Sequence, residues 1–365
     1  MIIGKQLQIF LDFLRFCIGS AKEIPGSLKE VDWKELYRIA QKQCLVGVLF
    51  DGIKKLPAEH VGMKKEMLLQ WMAESQMLEK ANVRLNDVAI QVSEWFRKKE
   101  FRTCILKGQG NALMYPNPCS RTPGDIDIWV EGGDKRVISF VRSISPHSKA
   151  CYHHIEFPSY KGIEVEVHYR PSFLLCFWHD RNLQKYYERV KEEQFSHRVM
   201  LGGGQGEIAI PTMEFNLIFQ LTHIFAHLMN EGIGLRQLVD YYYVISMLSV
   251  NCEMLTSLQK ELKELGLWKF AGGIMYIMQE VFGMPASQLI IPPNEKYGKF
   301  VLNEVLEAGN FGKHDERYWF GKSKLGHNLQ RVYRDIRLVT YFPAEALCEP
   351  IFRTWHFFWR MKNKK

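Results

Sequence analysis

Two aspartates stand two residues apart in Asp125-Ile-Asp-Ile-Trp-Val130, downstream of a lysine-glycine turn, Lys107-Gly-Gln-Gly110. Side chains alternate along a strand, so Asp125 and Asp127 project to one side while Ile126 and Ile128 enter a core. Two carboxylates held that close repel each other, and a divalent cation between them removes the repulsion. A glycine turn lets backbone amides approach a phosphate closely. Together the two features point to metal-dependent phosphoryl or nucleotidyl transfer.

A third acid is available. Gly162-Ile-Glu-Val-Glu-Val-His-Tyr-Arg170 also alternates, with Glu164, Glu166 and His168 on one face and Ile163, Val165 and Val167 on the other. Laid beside the Asp-x-Asp strand, this segment completes an acidic triad with Glu166 or Glu164. Two-metal catalysis sets its ions roughly 3.5–4 Å apart and needs several carboxylate oxygens to hold them. The expected ion is Mg2+ or Mn2+, orienting a triphosphate and lowering the pKa of an attacking hydroxyl. Lys107 is placed to reach triphosphate oxygens. Arg121, in the loop entering the acidic strand, could bind phosphate or hold Asp125 or Asp127 by a charge-assisted bond.

These residues resemble the nucleotidyltransferase fold shared with polymerase-beta-like enzymes. The fuller string, Leu106-Lys-Gly108, Arg121-x-x-Gly-Asp-Ile-Asp127 and Val165-Glu-Val-His168, is similar to a bacterial group of nucleotidyltransferases of uncharacterised substrate. The resemblance extends to His223-x-x-x-His227 and Gly234-Leu-Arg-Gln-Leu-Val-Asp240. It implies an α+β fold with a small mixed sheet flanked by helical regions, and a nucleoside triphosphate donor such as ATP. It also implies an acceptor hydroxyl on a small molecule, sugar, protein or RNA. Asp125, Asp127 and Glu166 become the catalytic metal ligands, with Lys107, Gly108, Gln109 and Arg121 around the nucleotide. His168, His227, Arg236 and Asp240 take substrate-binding or bracing roles. The chain departs from the superfamily pattern in having Gln109 where a serine is usual and Glu166 where aspartate is usual. Those departures motivate a second reading, an inactive nucleotide- or partner-binding protein on the same fold.

Other candidates compete for chemistry. His223 and His227 share a helix face and could take a metal with Asp240, though the glutamate of an H-E-x-x-H site is missing. Arg236 and Asp240 could pair along one helix. Tyr152-His-His154 could face the cleft, though surface is the favoured reading. The aromatic, basic segment 351–365 reads as a terminal helix with a lysine tail, or else as a grip for a membrane surface or single-stranded nucleic acid.

The elements that must position these groups fall into three stretches. Residues 1–100 read as helical, with 64–99 forming one long helix or two. Residues 101–210 read as the catalytic core, with strands near 101–106, 125–130, 151–157, 162–168 and 195–200, and a hairpin turn at Gly202-Gly-Gly-Gln-Gly206. From 211 to 365 helices return. Thr212 is the N-cap of the first, and others are expected at 235–248, 252–263, 267–281, 295–308 and 323–338, with a loop over 309–322.

Composition narrows the class. Over 365 residues, 47% are hydrophobic and 24% charged, ordinary for a globular protein, and the net charge of +8 suits an anionic ligand without naming it. Eight scattered cysteines without a C-x-x-C pair argue against a disulfide framework or zinc finger. Residues 8–18 are apolar but interrupted by Asp12 and Arg15, and no run approaches the ~20 apolar residues of a membrane span. A soluble cytoplasmic protein is expected.

Overall fold

A computed structural model describes residues 4–202, 206–248, 251–312, 315, 317 and 324–363. The N-terminal stretch forms α1 (Lys5–Ile18), α2 (Trp33–Lys42), α3 (Val46–Ile53) and α4 (Lys65–Arg97). At 33 residues α4 is one continuous rod about 50 Å long. The middle contains β1 (Thr103–Ile105), α5 (Gln109–Ala112), β2 (Ile126–Val130), α6 (Gly133–Ile144), β3 (His154–Tyr160) and β4 (Ile163–His168). It continues through α7 (Phe177–Ser196), β5 (Arg198–Leu201) and β6 (Gly206–Ala209). Then follow α8 (Met213–Asn230), α9 (Leu235–Met247), α10 (Cys252–Glu264), α11 (Trp268–Glu280), α12 (Glu295–Ala308), α13 (Lys324–Val339) and α14 (Pro343–Lys362). The fold is α+β, with a small mixed sheet among many helices.

The sheet runs β1-β2-β4-β3. β2 and β4 are parallel, and the outer pairs are antiparallel. Alternation gives it two different faces. Ile126, Ile128, Val130, Val165 and Val167 point into one core with α4 and α6, through Val88, Phe96, Val137 and Val141. Trp129 points the opposite way, stacking on Phe215 of α8 and packing against Phe195 of α7. Asp127 and Glu166 share that second face. The helical layer above it therefore forms the roof of any site they build.

That roof belongs to a second core, which joins α1–α3 to α8–α12. Specific polar contacts accompany the apolar ones: Arg15 Nε donates to Val281 O at 2.8 Å, and Gln43 accepts from Leu235 N at 2.8 Å. Residues distant in sequence thus pack as one body.

Several elements differ from expectation. α6 and α7 lie in the mixed section, where strands and only one short helical stretch were expected. α6 carries Val137, Ile138 and Val141 at helical spacing within a short, β-branched segment. α7 is mostly charged and buries only scattered residues such as Leu183 and Tyr187, which weakens its period. Because α7 runs to Ser196, the next strand starts at Arg198 rather than 195. β3 begins at His154, three residues later than read. The glycine hairpin forms, with Leu201 opposite Gly206; residues 203–205 lie outside the described ones. Thr212 caps α8 by accepting from Phe215 N at 3.3 Å. Most of the expected 309–322 loop also lies outside the described residues.

The C-terminal segment forms α14, which docks through Phe352 on Phe173 and Tyr152. Glu345 accepts from Leu175 N and Cys176 N at 2.7 and 3.0 Å. Among the described residues no helix is long and apolar enough to cross a membrane.

Candidate active site

The chain turns sharply after β1. Gly108 has φ +54°, a backbone region that L residues with a Cβ rarely occupy, and α5 starts immediately after it. Gly110 is needed for a different reason: a Cβ there would meet Ile210 Cγ2 at 3.1 Å. The turn aims Lys107 at Asp127, near the start of β2. Its Nζ lies 2.9 Å from Asp127 Oδ2 and 3.2 Å from His223 Nε2 of α8.

Asp127 is the centre of the arrangement. It is 5% exposed, and its other oxygen, Oδ1, lies 3.0 Å from His168 Nε2. The parallel register sets Asp127 directly beside Glu166. Asp125, at the foot of β2, opens to solvent. Ligand atoms of Asp125, Asp127 and Glu166 all lie within 4.8 Å of one another. Glu164 lines the same cleft but stands apart from this cluster.

The electrostatics follow from this crowding. Burial alone would raise Asp127, but the Lys107 charge and the His168 hydrogen bond hold it well below the usual carboxylate range. Its negative charge, and then desolvation, push Asp125 up to about 6. Burial pulls His168 down, yet its bonds to Asp127 and Glu166 raise it to about 9, so it is protonated at neutral pH. Desolvation lowers His154 to about 4 and takes His153 and His223 well below their ordinary value. These three stay neutral. The trio of acids therefore carries more negative charge than Lys107 and His168 offset, and Asp125 registers the deficit. A divalent cation fits that donor set.

Arg121 does not hold either aspartate of the Asp-x-Asp pair. It is buried, and its Nε and Nη2 each lie 2.8 Å from an oxygen of Asp240 on α9. Tyr115 Oη donates to the same carboxylate at 2.7 Å, and Asn111 Nδ2 at 3.3 Å. Asp240 thus pairs with Arg121 rather than along its own helix with Arg236, whose Nη1 donates to Thr122 O at 3.0 Å. Nor is Asp240 gathered with His223 and His227 into a metal set. His227 instead faces Glu231, with Nδ1 3.4 Å from Oε2. Gln109 is 2% exposed and is not among the residues that line the cleft.

All three residues favoured as surface, Tyr152, His153 and His154, line the cleft. His154 Nδ1 lies 3.4 Å from Glu166 Oε2. The signal was the strand pairing: His154 sits directly opposite His168 in the β3–β4 ladder. The cleft has a volume of about 980 Å³ and is also lined by Phe352, Arg353 and His356 of α14. Pockets that bury small ligands span about 300–1,000 Å³, so a nucleotide with part of an acceptor can be housed.

No curated protein matches the chain. Among solved structures it is similar to an antigenic nucleotidyltransferase-like protein from Paracoccidioides brasiliensis, at 14% identity and a TM-score of 0.32, over 57% of this chain and 94% of that one. That likeness is too weak to carry an inference. The model of a family described as uncharacterised nucleotidyltransferases matches residues 29–283, which include the glycine turn, all three acids and the Arg121–Asp240 pair. On that match the chain belongs to this nucleotidyltransferase family.

Proposed function

We propose that this protein is a nucleotidyltransferase of the polymerase-beta-like kind, moving a nucleoside monophosphate from a triphosphate to an acceptor hydroxyl. The observation that carries this reading is the convergence of Asp125, Asp127 and Glu166 beside a glycine turn and Lys107. Asp125, Asp127 and Glu166 would hold Mg2+ or Mn2+, which when bound neutralises phosphate charge and acidifies the acceptor hydroxyl. Lys107 and the backbone around Gly108 bind the triphosphate. The acceptor oxygen bonds to the α-phosphorus, the bond to pyrophosphate breaks, and the acceptor's proton passes to solvent or a carboxylate. The helices above the cleft form the acceptor side. The free thiols of all eight cysteines fit a reducing, cytoplasmic setting.

One observation favours a second reading. Lys107 and His168 already engage both oxygens of Asp127, an arrangement that also suits a nucleotide-binding protein without turnover.

Pyrophosphate release and binding with ATP, GTP, CTP and UTP in the presence of Mg2+ separate the two. The wild type is compared with Asp125→Asn and Asp127→Asn, with and without cell extract as a source of acceptor. Release with one nucleotide, lost in both variants, is expected. Tight binding without release in every arm would favour the binding protein.

A further inference from the structure

Three of the chain's twelve histidines meet at one wall of the cleft. The rings of His153, His154 and His168 lie pairwise 4.4–5.4 Å apart between centroids. Glu166 Oε2 stands among them, 3.4 Å from His154 Nδ1 and 3.5 Å from His168 Nε2. Ligand atoms of His154, Glu166 and His168 lie within 4.8 Å of one another. We propose that these three residues form a second cation site, selective for a borderline transition metal such as Co2+ or Zn2+, sharing Glu166 with the carboxylate site.

The donor chemistry supports the choice of metal. Mg2+ is held by oxygen ligands and sheds water reluctantly, whereas imidazole suits the later first-row divalent ions. Two imidazoles and one carboxylate, with room left for water, is a set that Zn2+ uses in open catalytic sites. The supporting shell is also present. His168 Nδ1 lies 3.3 Å from Arg170 O, an acceptor that fixes the ring with Nε2 turned toward Glu166. His153 Nε2 lies 3.0 Å from His154 Nδ1 and is next in reach as a further ligand. The ligands come from β3 and β4, adjacent strands of one ladder, so little ordering is needed on binding. Binding displaces the proton that His168 shares with Asp127, as metal binding at imidazole generally does.

The site shares Glu166 with the transfer centre proposed above but needs no nucleotide, so the two readings can fail separately. The test is Co2+ titration of the full chain, freed of metal by chelation, followed by visible absorption and calorimetry in excess Mg2+. Wild type is compared with His154→Asn, His154→Gln and Asp125→Asn, each checked for folding by circular dichroism. Expected is one Co2+ ion that Mg2+ does not displace, retained in Asp125→Asn and weakened ~10–100-fold or more in both folded His154 variants. Absence of such binding in wild type, displacement by Mg2+, or unchanged affinity in both His154 variants would overturn the proposal. Mg2+-dependent turnover surviving in that case would leave the transfer reading standing.

Discussion

Arg121 and Asp240 lie 119 residues apart in the chain and meet in a buried, two-pronged ion pair, with both contacts at 2.8 Å. The pair ties the loop that leads into β2 to a helix of the C-terminal region. Asp125 follows Arg121 by four residues, so this contact sets where the acidic strand begins relative to its helical roof. Burial would raise the Asp240 carboxyl, but the Arg121 charge and hydrogen bonds hold it below its ordinary value.

Asp240→Ala is therefore expected to be costly. It leaves the Arg121 charge buried without its carboxylate and strips Tyr115 of its acceptor. Breaking one side of a buried pair costs about 3–5 kcal/mol. Urea denaturation of the variant should show a loss of that size. Stability equal to wild type would mean the pair is not anchoring the two regions.

Lys107→Met keeps the aliphatic stem and removes the ammonium between Asp127 and His223. Under the proposed transfer reaction, kcat/KM for the triphosphate should fall ~10²–10³-fold, the scale for losing one preorganised electrostatic group. The fold should survive, since the side chain is partly exposed. Steady-state pyrophosphate release alongside a thermal melt distinguishes this from simple unfolding.

At Gly108 the difficulty for any other residue is conformational and not steric. An added Cβ would meet only Asp125 O, at 3.8 Å, yet φ is +54°. With ψ at −107° as well, Gly108→Ala should cost about 1–3 kcal/mol from that backbone conformation. If the turn relaxes to a negative φ instead, the proposed backbone contact with the triphosphate should be lost and its affinity drop. A calorimetric titration with nucleotide, set beside the melting curve, reads both effects.

Between α13 and α14, burial, the Glu349 charge and a hydrogen bond with Glu349 push Asp335 up to about 7 from an ordinary 3.8. The sign follows from proton counting. Between those values the folded chain binds a proton that the unfolded chain has released, so the contribution is full below 3.8 and lost as pH rises through 7. The melting temperature should thus fall from about pH 4 to about pH 7, and Asp335→Asn should flatten the slope. An unchanged slope in the variant would assign the pH dependence to other groups.

What the chain alone made legible was local. Alternation placed Asp125 with Asp127, and Glu166 with His168, because side-chain direction in a strand depends only on position parity. The glycine at 108 and the cap at Thr212 were equally readable, since each reflects one residue's own backbone or hydrogen-bonding preference. α7 was not, because its charged surface left few periodic apolar positions to see. Everything joining distant segments was decided by the tertiary structure. The register of β2 against β4 puts Asp127 beside Glu166, and a slip of one residue would turn a whole face away. The same holds for His154 opposite His168, for Lys107 against His223, and for Arg121 against Asp240. Those contacts depend on how whole elements pack, and charge and spacing along the chain carry no record of which partner lies across the gap.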